Sequence, residues 1–438
     1  MTTIEHILDL AELPASDVPN SARLMARFSL FDWMVCGHAG VGEPLAKILR
    51  SVILDERGRP VASVFGGEAA PARSAALVNG ATSHALDYDD THFAHVGHLS
   101  VGVYPAALAA GEQVGASAAD VVDAFLLGAE AAVRIGMVLG RAHYNRGFHQ
   151  TATAGAVGAT VAAGRIFGLS RAQMRAALGL CATRASGLKS QFGTMGKPYN
   201  AGISASNGVE SAMLAGAGMT SADDGLEGPQ GLVATHSDAP EAEAAWAVPV
   251  SERFLFEDIK YKLHACCHGT HAMIEALSAA ARGGDLSPED VRAVRLRTNP
   301  RWLSVCDVKA PRTGLEVKFS FVWIAGMVLA GMPTSSDRTF ADALAGDAAL
   351  EAFARRVTVE PDEALTDMQA EGEIERVDGS VIRFFHDLAE PLPPDVLARS
   401  LQAKAVAVIG DAGEGLWQAV EDLANLSARD LGARLRAP

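Results

Sequence analysis

Aromatic residues are scarce in this sequence, at 6% of 438 residues, and charged residues reach only 20%. A core poor in rings must be filled another way. Alanine is plentiful and there are 43 glycines, which let helix backbones approach closely, so many packed helices and little sheet are expected. Positive charge is also in deficit: 37 lysines and arginines against 52 acids give a net charge of -15 and a pI near 5.3. That excludes a basic face for nucleic acid and docking on an anionic membrane. An anionic ligand would be repelled by the whole protein and would need a local cationic pocket. Charges break each apolar run before it reaches membrane-spanning length. The start, MTTIEHILDLAELPASDVPN, lacks the basic and apolar stretches of a signal peptide, so a cytoplasmic protein is expected. Five scattered cysteines (Cys36, Cys181, Cys266, Cys267 and Cys306) fit reduced thiols rather than a disulfide framework. A G-x-S-x-G elbow, a Walker loop and paired C-x-x-C motifs are missing, which leaves acid–base chemistry by side chains.

What is present divides near residue 220. Before it the pattern is helical almost throughout. Ser21 is positioned to cap the run that follows it, residues 118–140 are apolar on most faces, and 151–168 consists mainly of small residues. Ser170 opens a further helix, and 203–218 reads as another. Residues 221–248 are acidic and loop-rich. Beyond them short β-branched runs at 291–298, 355–360 and 373–385, the last with an Asp378-Gly379 turn, alternate with helical patterns at 266–282, 316–332 and 336–354. Residues 393–438 return to helical periodicity. The expected fold is therefore mainly α: an all-helical domain over 1–260 and an α+β domain over 261–400, with helices at 400–438 packing back on the first.

Histidine is unevenly placed. The stretch HALDYDDTHFAHVGHLS (84–100) holds His84, His92, His95 and His98 among Asp87, Asp89 and Asp90. An aspartate beside a histidine can fix its tautomer and tune it for proton transfer. A zinc-type site is not expected: His84 and His95 are far apart, and His92-x-x-His95 lacks an obvious third ligand. His149 stands where a glycine-containing loop enters the small-residue helix, a place more often structural than functional. Lys197, in GTMGKPYNAG (193–202), precedes Pro198, which disfavours helix there and predicts a restricted loop suited to holding a carboxylate. Lys262, His264, Cys266, Cys267, His268 and His271 cluster in KLHACCHGTHAM (262–273). Glu316 and Lys318 precede an apolar helix, where capping is the plain explanation.

Five ordered segments, NGATSHALDYDDTH…GHLS, GTMGKPYNAGISASNGVESAMLAGAG, LEGPQGL, KLHACCHGTH and TGLEVKFS, resemble the MmgE/PrpD family over roughly residues 75–320. That group contains 2-methylcitrate dehydratase, cis-aconitate decarboxylase and iminodisuccinate epimerase. The resemblance implies a large all-α domain, a smaller α+β lid domain, an active site in the cleft between them, and a homodimer. It places Asp87 and Thr91 in a D-x-D-D-T motif, His98 at the head of an H-P-S-like triplet, and His149 before the small-residue helix. Lys197 falls in G-T-x-x-K-P, and Lys262 at the start of the lid segment. Cys267 stands where the family's decarboxylases carry histidine, and His92 where its 2-methylcitrate dehydratases tend to carry tryptophan.

Catalysis is accordingly expected from Asp87, His98, His149, Lys197 and Lys262, and substrate binding from Thr91, Cys267, His271 and Lys318, with no metal and no cofactor. Dehydration, decarboxylation and epimerisation beside a carboxylate all build carbanion-like charge, which lysines can stabilise while histidines move the proton. The expected partner is a small anionic di- or tricarboxylate. A hydro-lyase of the 2-methylcitrate dehydratase type is the leading expectation, an epimerase of an imino- or hydroxy-diacid the second and a decarboxylase the third. A non-catalytic dimeric binding protein is the alternative outside enzymes.

Overall fold

A computed structural model describes residues 1–284 and 286–436. The chain forms two compact units, 1–261 together with 409 onward, and 262–408. No helix among the described residues is long and apolar enough to cross a membrane.

The first unit is helical: α1 (Thr3–Glu12), α2 (Asn20–Gly40), α3 (Pro44–Asp55), α4 (Ala72–Ser83), α5 (Ser100–Val114), α6 (Ala118–Arg146), α7 (Gln150–Ile166), α8 (Arg171–Arg184) and α9 (Gly196–Gly216), with short α10 (Leu232–His236) and α11 (Ala242–Trp246) in the loop-rich stretch. Local chemistry sets several starts. Ser117 and Ser170 each form a capping box, with Asp120 and Gln173, satisfying first-turn N–H groups. Ser21 does not cap. The helix begins one residue earlier, after Pro19, whose fixed φ of -62° delivers an extended backbone to the first turn.

α7 is the centre of this unit and packs on α5, α6 and α9. Its small residues permit the closeness. A Cβ on Gly158 would lie 2.4 Å from the Gly128 carbonyl oxygen on α6, and one on Gly128 equally close to the Gly158 carbonyl. α6 bends at Gly140, where φ is 65° and ψ is -176°. The Gln150 side chain donates to the carbonyls of Gly136 (2.9 Å) and Gly140 (3.4 Å), satisfying acceptors near the bend.

The second unit carries α12 (His271–Gly284), α13 (Pro300–Leu303), α14 (Gly314–Val317), α15 (Phe321–Leu329), α16 (Ala348–Ala354) and α17 (Pro394–Ile409) around a mixed sheet of β1 (Val291–Thr298), β2 (Val357–Pro361), β3 (Gln369–Arg376) and β4 (Val381–Asp387), ordered β2-β1-β3-β4. β1 pairs parallel with β2, Val294 opposite Val357, and antiparallel with β3. β3 and β4 form a hairpin around Gly379, whose φ of 87° suits glycine. Val294 and Leu296 are buried while Arg295 and Arg297 are exposed, so the sheet has one apolar and one charged face. The helix expected over 336–354 reduces to two 3-10 turns and α16, because Asp347 caps α16 through the N–H groups of Ala349 and Leu350 and so fixes its start. α18 (Ala412–Glu421) and α19 (Ala428–Arg436) belong to the first unit.

Gly158→Ala should lower stability by about 1–3 kcal/mol in urea unfolding, because a methyl group there has no space. Gly415→Ala, in α18 where a Cβ meets nothing within 4 Å, should instead stabilise by roughly 0.5–1 kcal/mol. Equal effects would refute the close crossing.

Candidate active site

The connection between α4 and α5 separates the four histidines into two kinds. His92 Nε2 is 2.8 Å from the Leu255 carbonyl, and His95 Nδ1 is 2.9 Å from the Ala132 carbonyl. Both are buried, and burial lowers both pKa values, that of His95 to about 3. They pin the loop. His84 and His98 instead converge on one carboxylate: Asp89 Oδ1 lies 2.8 Å from His84 Nδ1, and Asp89 Oδ2 lies 2.8 Å from His98 Nδ1. Burial alone would raise the Asp89 carboxyl. The two imidazoles outweigh it and hold the group well below the usual range.

Asp90, next in sequence, turns the other way. Its Oδ1 accepts from the N–H groups of Leu99 (3.4 Å) and Ser100 (3.2 Å) at the start of α5, and the Ser100 hydroxyl donates to its Oδ2. Burial dominates over these bonds and pushes its pKa up to about 7. Its backbone carbonyl is 2.7 Å from His98 Nδ1.

Asp87, in a left-handed conformation with φ 52°, joins the loop to α9. Asp87 Oδ2 is 2.6 Å from Lys197 Nζ and Oδ1 is 3.4 Å from His98 Nε2. Lys197 lies in the first turn of α9, not on the loop expected from Pro198. Proline is tolerated there because first-turn N–H groups have no intrahelical acceptor to lose. One turn on, Asn200 lies on the same face as Lys197. Its Nδ2 is 3.2 Å from His149 Nδ1 and 3.3 Å from the Leu188 carbonyl. His149 is the N-cap residue of α7, with its N–H donating to the Gly187 carbonyl at 3.0 Å and Phe192 edge-on at 5.0 Å. Burial first, and the Lys197 charge second, hold its pKa well below the ordinary value.

The structure thus brings together Asp87, His98, His149 and Lys197 in the first unit. Sequence reasoning placed His84 and Asp89 in the histidine-rich stretch without selecting them as site residues, and missed Asn200 altogether. Asn200 had a usable signal in its three-residue spacing from Lys197. Thr91 is placed by a backbone bridge to Lys260, with both bonds 2.8 Å. The remaining expected residues lie in the second unit. Lys262 and His271 are buried there, with His271 Nε2 unpartnered among the described residues. The Cys267 N–H donates to the Lys318 carbonyl at 3.1 Å, and the Lys318 ammonium pairs with Asp337. His264 bridges Thr334 (2.7 Å) and Glu275 (3.0 Å).

One ligand atom each from His84, Asp87, Asp89 and His98 lies within 4.8 Å of the others, a donor set able to accept a divalent cation. Lys197 is already paired with Asp87, and two imidazoles already face Asp89, so both acids of the set have partners within the chain. A cleft of 570 Å³ on the sheet's outer face, lined by Arg295, Arg297, Glu360, Glu371, Glu373 and Arg383, holds no histidine; there Arg297 faces Asp362 at 2.9 Å and Arg383 faces Glu373 at 3.1 Å.

The fold defines the class first: a mainly helical protein with a small mixed sheet in a second unit. The sequence then matches the MmgE/PrpD N-terminal domain over residues 10–245 and the MmgE/PrpD C-terminal domain over 264–387, and the chain belongs to the MmgE/PrpD family. Among curated relatives, cis-aconitate decarboxylase of Aspergillus terreus is 28% identical over 287 residues, covering 62% of this chain and 58% of that protein. The cis-aconitate decarboxylase-like protein oryM of Aspergillus oryzae is 28% identical, covering 62% and 60%. Cis-aconitate decarboxylase of Homo sapiens is 32% identical over a shorter stretch, 34% and 32%. The matched stretch is under two thirds of each relative's length.

Asp90 binds its proton up to about pH 7 when folded, well above the ordinary carboxyl value of about 4. The unfolded chain therefore releases that proton first, and the folded state loses stability as pH rises from about 4 to about 7 and does not regain it above. Asp90→Asn removes this slope, so the variant should gain on the wild type in unfolding midpoints as pH rises from about 4 to about 7, with no further change above. A pH-independent difference would contradict the assignment.

Proposed function

We propose that this chain is a cofactor-independent lyase that moves a proton beside a carboxylate of a small di- or tricarboxylic acid. The observation that carries the reading is the chain Asp89–His98–Asp87–Lys197, buried at Asp89 and His98 and half-buried at Asp87 and Lys197, next to His149. His98 Nδ1 faces two acceptors and so holds its hydrogen, which leaves Nε2 as the atom that takes a proton. A proton arriving there is stabilised by Asp87 on one side and Asp89 on the other. Asn200 Nδ2 must be a donor, because the Leu188 carbonyl beside it only accepts. His149 Nδ1 therefore accepts, and in the neutral ring Nε2 carries the hydrogen, ready to donate. A base and an acid are thus set beside a lysine able to hold a carboxylate and the charge that builds on it.

Two lyase outcomes share such a carbanion-like species. Loss of CO2 from an unsaturated tricarboxylate comes first in this reading, because the A. terreus and human relatives bear the name cis-aconitate decarboxylase. Loss of water from a hydroxy-tricarboxylate of the 2-methylcitrate type, favoured by sequence alone, comes second. Epimerisation of a diacid is the outcome outside lyases.

Chelator-treated protein in D2O, offered citrate, 2-methylcitrate, cis-aconitate, malate and iminodisuccinate and followed by proton NMR, separates these. Turnover of one acid should survive chelation. His149→Ala and Lys197→Ala, folded by circular dichroism, should each lower kcat by roughly 10²–10⁴-fold. Silence across the panel, or full activity in both variants, would remove the reading.

A further inference from the structure

Asp89 faces two histidines: Oδ1 is hydrogen-bonded to His84 Nδ1, while Oδ2 lies 2.8 Å from His98 Nδ1 and has no hydrogen-bond partner of its own among the described residues. An ionised carboxylate offers only acceptors, so each Nδ1 that faces it carries its hydrogen and the lone pair sits on Nε2. For His98 the hydrogen bond is to the Asp90 carbonyl, 2.7 Å away, with the Asp89 carboxylate close on the same nitrogen. For His84 the fixing partner is Asp89, at 2.8 Å, with both side chains fully buried. The opposite nitrogen, His84 Nε2, is buried without a hydrogen-bond partner among the described residues. A buried acceptor left without a donor is costly and rare. This one sits between two imidazoles: the His84 ring is 4.5 Å from that of His98 and 6.2 Å from that of His149, stacked on the latter at 26°.

We propose that Asp89 is the positioning residue of this site: its carboxylate fixes His84 as the Nδ1–H tautomer by a hydrogen bond and lies against His98, which the Asp90 carbonyl holds in the same tautomer, so that Nε2 of each ring is a proton-accepting atom. His84 then joins His98 and His149 as a third imidazole of the site. No proton needs to reach Asp89 itself; its charge stabilises whichever ring becomes imidazolium. This rests on the acid–base reading above. The groups that face the pair are Asp87 and Asp90 from the same loop, His149 from the start of α7, and Lys197 from α9.

The test begins without substrate. Nitrogen-15 NMR of histidine-labelled wild-type protein should show His84 protonated at Nδ1 and bare at Nε2. In Asp89→Asn the Asp90 carbonyl still holds the His98 hydrogen. The new amide must then turn its oxygen toward His98 and its NH2 toward His84, so His84 should switch to the Nε2–H form. With the acid that the panel identifies, Asp89→Asn should lower kcat on the order of 10² with KM within about threefold. His84→Gln, which can still donate to Asp89, should lower kcat by about tenfold or more. A wild-type His84 protonated at Nε2 would overturn the proposal even if neither variant folds, as would unchanged kcat in both. Because the tautomer is read with no ligand, a silent substrate panel would sink the lyase reading and leave this result standing.

Discussion

The close crossing of α6 and α7 is the constraint on which the first unit depends. At Gly128 and Gly158 the two backbones meet with no room for a Cβ on either side, and on α9 a Cβ at Gly208 would lie 2.4 Å from that of Ala159. Such contact fixes the height of α7 among its neighbours, because a packed interior deforms little. The start of α7 is fixed with it, and functional atoms are attached there. His149 occupies the N-cap position of the helix, and Thr151, two residues on, accepts the His98 N–H at 3.0 Å. The small-residue core and the histidine loop are therefore parts of one rigid object, which suits a site whose proton donors and acceptors must stay in place.

The charges of the site follow from that rigidity. The protein as a whole carries -15, and its field disfavours an anionic ligand. Within the cluster the acids are each accounted for differently. Asp87 has Lys197, Asp89 has two imidazoles, and Asp90 holds its proton to about pH 7. Three neighbouring carboxyl groups thus take three protonation environments.

Much of this was legible in the sequence, and the failures have physical causes. β1 lies where its alternating β-branched run placed it, Val291–Thr298, and Ser170 caps α8 as expected. The helical first half and the short strands of the second unit followed from periodicity, whereas the mixed order of the sheet did not. Lys197 was expected on a loop because the rule for residues before proline says nothing of how well a first turn tolerates one. The pairing of His84 and His98 with Asp89 was hidden for another reason. It needs left-handed residues at Asp87 (φ 52°) and Val96 (φ 56°) to fold the loop back, and neither is a glycine that would announce such a turn. Nor could composition distinguish His92 and His95, which pin the loop to Leu255 and Ala132, from the two that face the acids.

The first unit is also discontinuous in the chain. α18 and α19 return to it after the second unit, and the return is backbone-bonded: Ala118 N–H to the Leu426 carbonyl (2.9 Å), Ala428 N–H to that of Ala116 (2.9 Å) and Gly66 N–H to that of Leu435 (3.0 Å). On a ribosome the whole second unit emerges before these partners exist. The helical unit therefore waits, with the surfaces beside Gly66 and Ala116 uncovered, while the inserted unit has the opportunity to fold first. Synthesis from the N-terminus thus completes the inner segment ahead of the outer one, and an interrupted translation would leave a helical unit that lacks its last strap.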